Sequence, residues 1–320
     1  MSDLTSNDIL DTQPPLVSRM TTQKPEAKKQ SAPVGRRVQI GVMIAVPSLI
    51  AIYWGGWIFS AFVALFVWLP HKELIEIMRA RDLHPSRLII LSTAVIMIIG
   101  ASLNHMSFLA PILTLSVMAS FFRLLFRFPI ASMGDIGATL LAVVYLVYFP
   151  AHYILLRDMK LMASPLMSAD PGLAYLLLLI FVIGVSDIAA YYTGLRFGKN
   201  LLYAEVSPKK TREGSLGGVI GGFFTGVIIS ALTGFPMVHG MVLSLLLSVV
   251  GQIGDLVESL FKRDAGVKDS GGLLMEHGGI LDRMDSYIFS GAVAYYYIYW
   301  VVLGQGLARD VMTVMHRWFS

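Results

Sequence analysis

An all-α, polytopic integral membrane protein is the fold class this sequence predicts, on three observations. The 320 residues are 55% hydrophobic and 14% charged, with a mean hydropathy of +0.67. Apolar runs recur along most of the length, and a run of about 18 or more apolar residues reads as a membrane-spanning helix. Lipid offers no partner to an open sheet edge, so helices are the spanning form. The absence of cysteine from the sequence excludes disulfides and thiolate nucleophiles or metal sites.

Residues 1–37 are polar, with Pro14, Pro15, Pro25 and Pro33 and the cations Lys24, Lys28, Lys29, Arg36 and Arg37. No apolar run precedes a small-residue cleavage site, so this segment reads as a disordered basic cytoplasmic tail rather than a secretory signal. The apolar stretch 38–69 is too long for one span, and the turn and interfacial aromatics of "YWGGW" at 53–57 split it in two. Further spans are expected at 88–104, 106–122, 132–150, 173–195, 215–234, 237–257 and 286–304, about nine in all. The chain then divides into the tail, N-terminal membrane helices over 38–180, a catalytic membrane region with cytoplasmic loops over 181–304, and a C-terminal tail over 305–320.

With the N-terminus inside, 21 of the 25 Lys and Arg fall in cytoplasmic segments, which is the bias of the positive-inside rule. Gly214, Gly218, Gly222 and Gly226 recur every four residues and predict a helix face that a neighbour approaches closely. A phosphate-binding glycine loop of the Walker type is not supported, because its Gly-Lys-Ser/Thr ending is missing.

The charges concentrate where chemistry is expected. From Lys262 to Asp285, nine of 24 residues are charged. On a helix, Asp255, Ser259 and Lys262 share one face, offering a carboxylate, a hydroxyl and an ammonium. Asp282 and Asp285, three apart, repel unless a cation or basic group intervenes, and oxygen-rich acid clusters suit Mg²⁺. The preceding loop carries Lys209, Lys210 and Arg212 with the hydroxyls of Ser207 and Thr211. Asp187 lies inside an otherwise apolar span, where a carboxylate needs a cation or donors. His277 is read first as a structural hydrogen-bonder. Acids and cations brought to one membrane face form an arrangement for phosphoryl or nucleotidyl transfer, which needs no side-chain nucleophile.

The segment "SLFKRDAGVKDSGGLLMEHGGILDRMD", 259–285, resembles the signature of the phosphatidate cytidylyltransferases, or CDP-diacylglycerol synthases. "SDIAAYYTGLRFGK" (186–199) and "SPKKTREGSLGG" (207–218) are similar to that family's other two signatures, in the same order. The resemblance covers about 180–290; residues 38–180 agree in hydropathy alone, and 1–37 not at all. It implies that CTP and phosphatidate yield CDP-diacylglycerol and pyrophosphate, by in-line attack of the lipid phosphate oxygen on the α-phosphorus. It further implies that Asp255 and Asp282 are metal ligands, with Asp285 a supporting acid and Ser259, Lys262 and Arg263 on phosphates. Lys209, Lys210 and Thr211 match its Ser-Pro-Lys-Lys-Thr element, and Lys268 and Asp269 its Lys-Asp pair. Asp187, His277 and Arg283 complete the expected substrate contacts.

Mg²⁺ is the implied cofactor, with a second cation such as K⁺ admissible. The implied partners are CTP, inner-leaflet phosphatidate, the bilayer and a second copy in a homodimer, with no nucleic acid. The implied location is the cell (inner) membrane, multi-pass, with a cytoplasmic N-terminus. Met275-Glu276, Arg212 and Ile188-Ala189 stand where the family usually has Pro-Gly, Trp and Thr-Gly, and these neighbours bear on lipid preference. Two alternatives are a paralogue acting on another lipid phosphate and a cation-coupled transporter. The latter predicts mid-membrane acids and inverted repeats.

Overall fold

The computed structural model describes residues 34–103, 106–167, 170–267, 279–305 and 315. Lys268, Asp269 and His277 lie outside the described residues, as do residues 1–33 of the expected tail and most of 305–320. The chain divides into two units, Met1–Gly41 and Val42–Ser320, and apart from residues 34–41 of the first helix the second holds everything that follows.

Helices α1 (Val34–Trp54) and α2 (Gly56–Arg79) meet at the expected glycine turn. Gly55 and Gly56 both have positive φ, at 65° and 51°, a conformation that glycine adopts without a Cβ clash. Helix α3 (Arg87–Ser102) starts on Ser86, whose hydroxyl accepts the Ile89 amide. A single 3-10 turn (Met106–Phe108) leads into α4 (Leu109–Arg127). Helix α5 (Met133–Arg157) opens on a capping box between Ser132 and Asp135, which satisfies two otherwise orphaned amides. Asp170 and Pro171 start α6 (Pro171–Phe197). Thr211 caps α7 (Arg212–Thr233), and left-handed Gly234 ends it before α8 (Met237–Asp264). The last described stretch comprises α9 (Leu281–Ile288), α10 (Ser290–Tyr296) and a π-type turn, Tyr297–Val302.

Six described helices are long and apolar enough to cross a membrane: α2, Met106–Arg127, α5, α6, α7 and α8. The expected count of nine is not reached on that criterion. Helix α3 has 16 residues, the apolar part of α1 is Ala45–Trp54, and the last stretch changes its hydrogen-bond pattern at Phe289 and Tyr297 while the backbone there stays helical. Within the second unit, α5 and α6 supply much of the fully buried core, including Tyr145, Leu146, Ile154, Leu155, Tyr175 and Leu179. Helices α4 and α7 are the most exposed of the six.

The glycines of α7 do what their spacing predicts. Gly214, Gly218, Gly222 and Gly226 are buried, and a Cβ on Gly218 would press on the Ser186 carbonyl of α6. One on Gly222 or Gly226 would collide with Ser248 or Ser244 of α8. Two strands, β1 (Leu201–Tyr203) and β2 (Ser207–Thr211), pair antiparallel between α6 and α7. The all-helical expectation did not include them. "SPKKT" lacks an alternating apolar pattern, and the hairpin is closed by polar contacts instead. Asn200 and Glu213 bond side chain to side chain at 2.7 Å, and the Asn200 carbonyl accepts the Arg212 amide at 2.9 Å.

At the other end of α5, Arg157 donates to the carbonyls of Ile52 and Tyr53 and pairs with Asp170 at 2.8 Å. This ties α5 to the ends of α1 and α6.

Candidate active site

Helix α8 supplies the frame. Its buried positions are Gly240, Leu243, Ser244, Leu247, Ser248, Gly251, Gly254 and Glu258, a three-to-four-residue stripe that ends in an acid. Gly254 leaves no room for a Cβ against the Asp285 carbonyl oxygen, and Gly251 faces Ser286. The missing side chains let the backbone of α9 settle on α8, so Asp285 and Ser286 stand beside Asp255 and Glu258.

Three charged contacts gather around that crossing. Lys262 Nζ lies 2.5 Å from Glu258 Oε2, one helical turn back, and 2.5 Å from Asp282 Oδ1 of α9. Asp282 Oδ2 accepts the Gly279 amide at 2.8 Å. Lys210 of β2 lies 2.5 Å from Asp255 Oδ2, and Arg263 donates to the Val206 carbonyl at 3.3 Å. The hairpin is therefore fastened to the C-terminal part of α8 at two points. Asp187 of α6 interacts with Ser286 and feels the charges of Asp255 and Lys210.

The electrostatics are dominated by acid. Asp285 is buried and faces Asp255, Glu258 and Asp187; burial, then these neighbours, push its carboxyl well above the usual range. Burial also works against a charge on Asp282, but Lys262 and the Gly279 amide outweigh it and hold that carboxyl below the usual range. Glu258 is fully buried, and neither of its oxygens has a well-formed hydrogen bond, although the Lys262 ammonium is close.

Of the residues expected from sequence, Asp187, Lys210, Asp255, Lys262, Arg263, Asp282 and Asp285 come together here. Asp282 and Asp285 do not pair with each other; Asp282 is bonded to Lys262, whereas Asp285 turns toward the other acids. Thr211 spends its hydroxyl on the Gly214 amide at 3.1 Å, as a helix cap. Ser259 is half-buried one turn after Asp255, and Lys209 and Arg283 are exposed.

Sequence reasoning missed two residues. Glu258 is adjacent to Ser259 and three residues after Asp255, a spacing that puts it on the same face as Lys262. Glu73, on α2, accepts the amides of Ile280 and Leu281 at 3.0 and 2.8 Å. Nothing in its local sequence signals that contact across 200 residues.

The donor chemistry fits a hard divalent cation. All candidate ligands are carboxylate oxygens, acids outnumber ammoniums, and Glu258 Oε1 is buried with no hydrogen-bond partner. Among the described residues no three acids or histidines converge closely enough to hold an ion alone. Mg²⁺ commonly takes one or two carboxylates and leaves its other positions to water and phosphate.

Comparison with known proteins bears on this site. A family model described as "Cytidylyltransferase family" matches residues 35–301. A phosphatidate cytidylyltransferase of Synechocystis sp. is 35% identical over 279 residues, covering 81% of this chain and 93% of that protein. The chloroplastic phosphatidate cytidylyltransferase 4 of Arabidopsis thaliana is 30% identical over 300 residues, 85% of this chain and 75% of that protein. A phosphatidate cytidylyltransferase of Bacillus subtilis is 37% identical over 160 residues, 49% of this chain and 56% of that protein.

Proposed function

This chain belongs to the cytidylyltransferase family, and from that premise we infer that it makes CDP-diacylglycerol, moving the cytidylyl group of CTP to phosphatidate and releasing pyrophosphate. The observation that carries the reading is the crossing of α8 and α9, where Lys262 joins Glu258 and Asp282 beside Asp255 and Asp285. A polyphosphate substrate needs such a mixture: ammoniums to take up phosphate charge and acids to share a cation with it.

The bond that forms joins a phosphatidate oxygen to the α-phosphorus, and the bond that breaks releases pyrophosphate. No group of the protein becomes covalently attached. Lys262 and Arg263, at the end of α8, and Lys210, on the hairpin, supply positive charge to the phosphates. Lys209 and Arg283 are exposed beside them and extend that field. Lys210 must exchange its Asp255 contact for a phosphate oxygen, which couples the hairpin to nucleotide entry. Asp255 and Asp282, with Glu258 and Asp285 behind them, would hold Mg²⁺. That ion, when bound, neutralises charge on the triphosphate and its leaving pyrophosphate. Asp187, on α6, closes the site against Ser286 of α9.

The same reading places the chain in the cell's inner membrane with its N-terminus and site on the cytoplasmic side, supported by the distribution of Lys and Arg. There CTP arrives from the cytosol and phosphatidate from the inner leaflet. A homodimer is part of the proposal. The family match favours the enzyme over the transporter, and no observation favours a different lipid phosphate.

The test uses purified chain in detergent with phosphatidate, Mg²⁺ and radiolabelled CTP. Asp282→Ala is expected to abolish labelled lipid while the protein still accumulates in the membrane. Full turnover by that variant removes Asp282 from the chemistry.

A further inference from the structure

The turn that precedes Asp282 is held by a carboxylate from the other half of the chain. The turn into α9 and its first residue present three successive amides, Gly279, Ile280 and Leu281. The first goes to Asp282 Oδ2 at 2.8 Å. The next two go to Glu73 Oε1 and Oε2, at 3.0 and 2.8 Å. Ile280 stands at the cap of α9 and has no side chain with which to cap it, so Glu73 supplies the cap from α2. Glu73 is 1% exposed, and both its oxygens are used.

A buried acid in a membrane helix is costly unless its oxygens are satisfied. This one also stands within the electrostatic reach of Asp282, adding repulsion to an acid-rich site. Its effect on Asp282 explains the arrangement. Asp282 follows Leu281 directly, so fixing the Ile280 and Leu281 backbone fixes where its side chain starts. From there Oδ2 reaches back three residues to the Gly279 amide, as an acid in a helix's first turn does, and Oδ1 stands 2.5 Å from Lys262. The register of α9 is thereby fixed to α2, whose C-terminal end is joined to α8 by the contact of Arg81 with Asp264 at 3.2 Å.

We propose that Glu73 is a positioning residue for the transfer reaction, holding Asp282 in its working orientation by accepting the Ile280 and Leu281 amides. The inference rests on the reading of Asp282 as part of the reaction centre. Reach and acceptor capacity matter here rather than negative charge.

Three variants separate this from a general role in folding. Glu73→Ala removes the acceptor, Glu73→Asp keeps the charge and shortens the reach, and Glu73→Gln keeps length and an accepting oxygen. Each is assayed for kcat and for KM of CTP, with hydrogen exchange followed in the peptide spanning 279–288. Glu73→Ala and Glu73→Asp are expected to lower kcat at least tenfold, with KM within about threefold. Protection should be lost at Ile280 and Leu281 and kept elsewhere. Glu73→Gln keeps one acceptor and sets its NH2 against the other amide, so it is expected to lower kcat by about threefold to tenfold, less than Glu73→Ala, with protection lost at one of the two amides. If Glu73→Ala does not accumulate, Glu73→Asp and Glu73→Gln decide by the same criteria. Unchanged kcat in Glu73→Asp or in Glu73→Gln, or loss of protection throughout the helices, overturns the proposal. Failure of the unaltered chain to form any labelled lipid would instead sink the functional reading, while exchange at these two amides would still decide the anchoring.

Discussion

Lys262 stands between Glu258 and Asp282, at 2.5 Å from each, and its side chain is 12% exposed. Removing it leaves two buried acids with no counter-charge. Lys262→Ala is therefore expected to cost about 3 kcal/mol of stability, and it also removes a phosphate contact, lowering turnover about 100-fold or more. Arg157 gives the contrast. Its bonds to Ile52, Tyr53 and Asp170 lie at the far end of α5 from the site. Arg157→Ala should cost about 2–4 kcal/mol with kcat per folded molecule unchanged. Thermal unfolding in detergent alongside the transfer assay checks both. At this scale the charged side chains near the 259–285 pattern were legible because a carboxylate or ammonium in an apolar chain needs a reason to be there. Glu258 was legible in principle, by its spacing from Lys262. Glu73 was not, because its partners are backbone amides that any residue would provide.

Two helix crossings place the groups, and both depend on absent side chains. The crossing of α8 and α9 needs Gly254, which has no space for a Cβ against Asp285. Gly254→Val is expected to cost about 1–3 kcal/mol through overpacking and to lower kcat by moving Asp285 away from Asp255. Gly222→Leu, on the face of α7 against Ser248, should cost a similar amount and act mainly on stability. A variant of either kind with unchanged unfolding temperature would contradict the packing account. The stripe on α7 was legible because spacing by four is a property of the sequence alone. The hairpin of Leu201–Tyr203 and Ser207–Thr211 was not, since its closure depends on Asn200 and Glu213 meeting at its base.

The molecule as a whole was legible as a polytopic helical protein because apolar length is a direct consequence of bilayer thickness. Helix existence followed from the same property, whereas the number of crossings did not, because α3 is short for a span. The sidedness drawn from Lys and Arg can be measured cleanly, since the sequence contains no cysteine. Single Lys209→Cys and Lys160→Cys variants both present exposed positions. A membrane-impermeant thiol reagent applied to intact cells should label the second and spare the first until the membrane is opened. The reverse pattern would invert the proposed topology and remove the site from cytosolic CTP. The central claim, that acids and ammoniums from separate helices grip a triphosphate for attack at its α-phosphorus, is tested most directly by the fate of two labels. Purified chain is given phosphatidate, Mg²⁺ and CTP carrying label on either the α- or the γ-phosphorus. The account predicts that α-label moves into lipid while γ-label leaves in pyrophosphate; γ-label on the lipid, or neither label transferred, would contradict it.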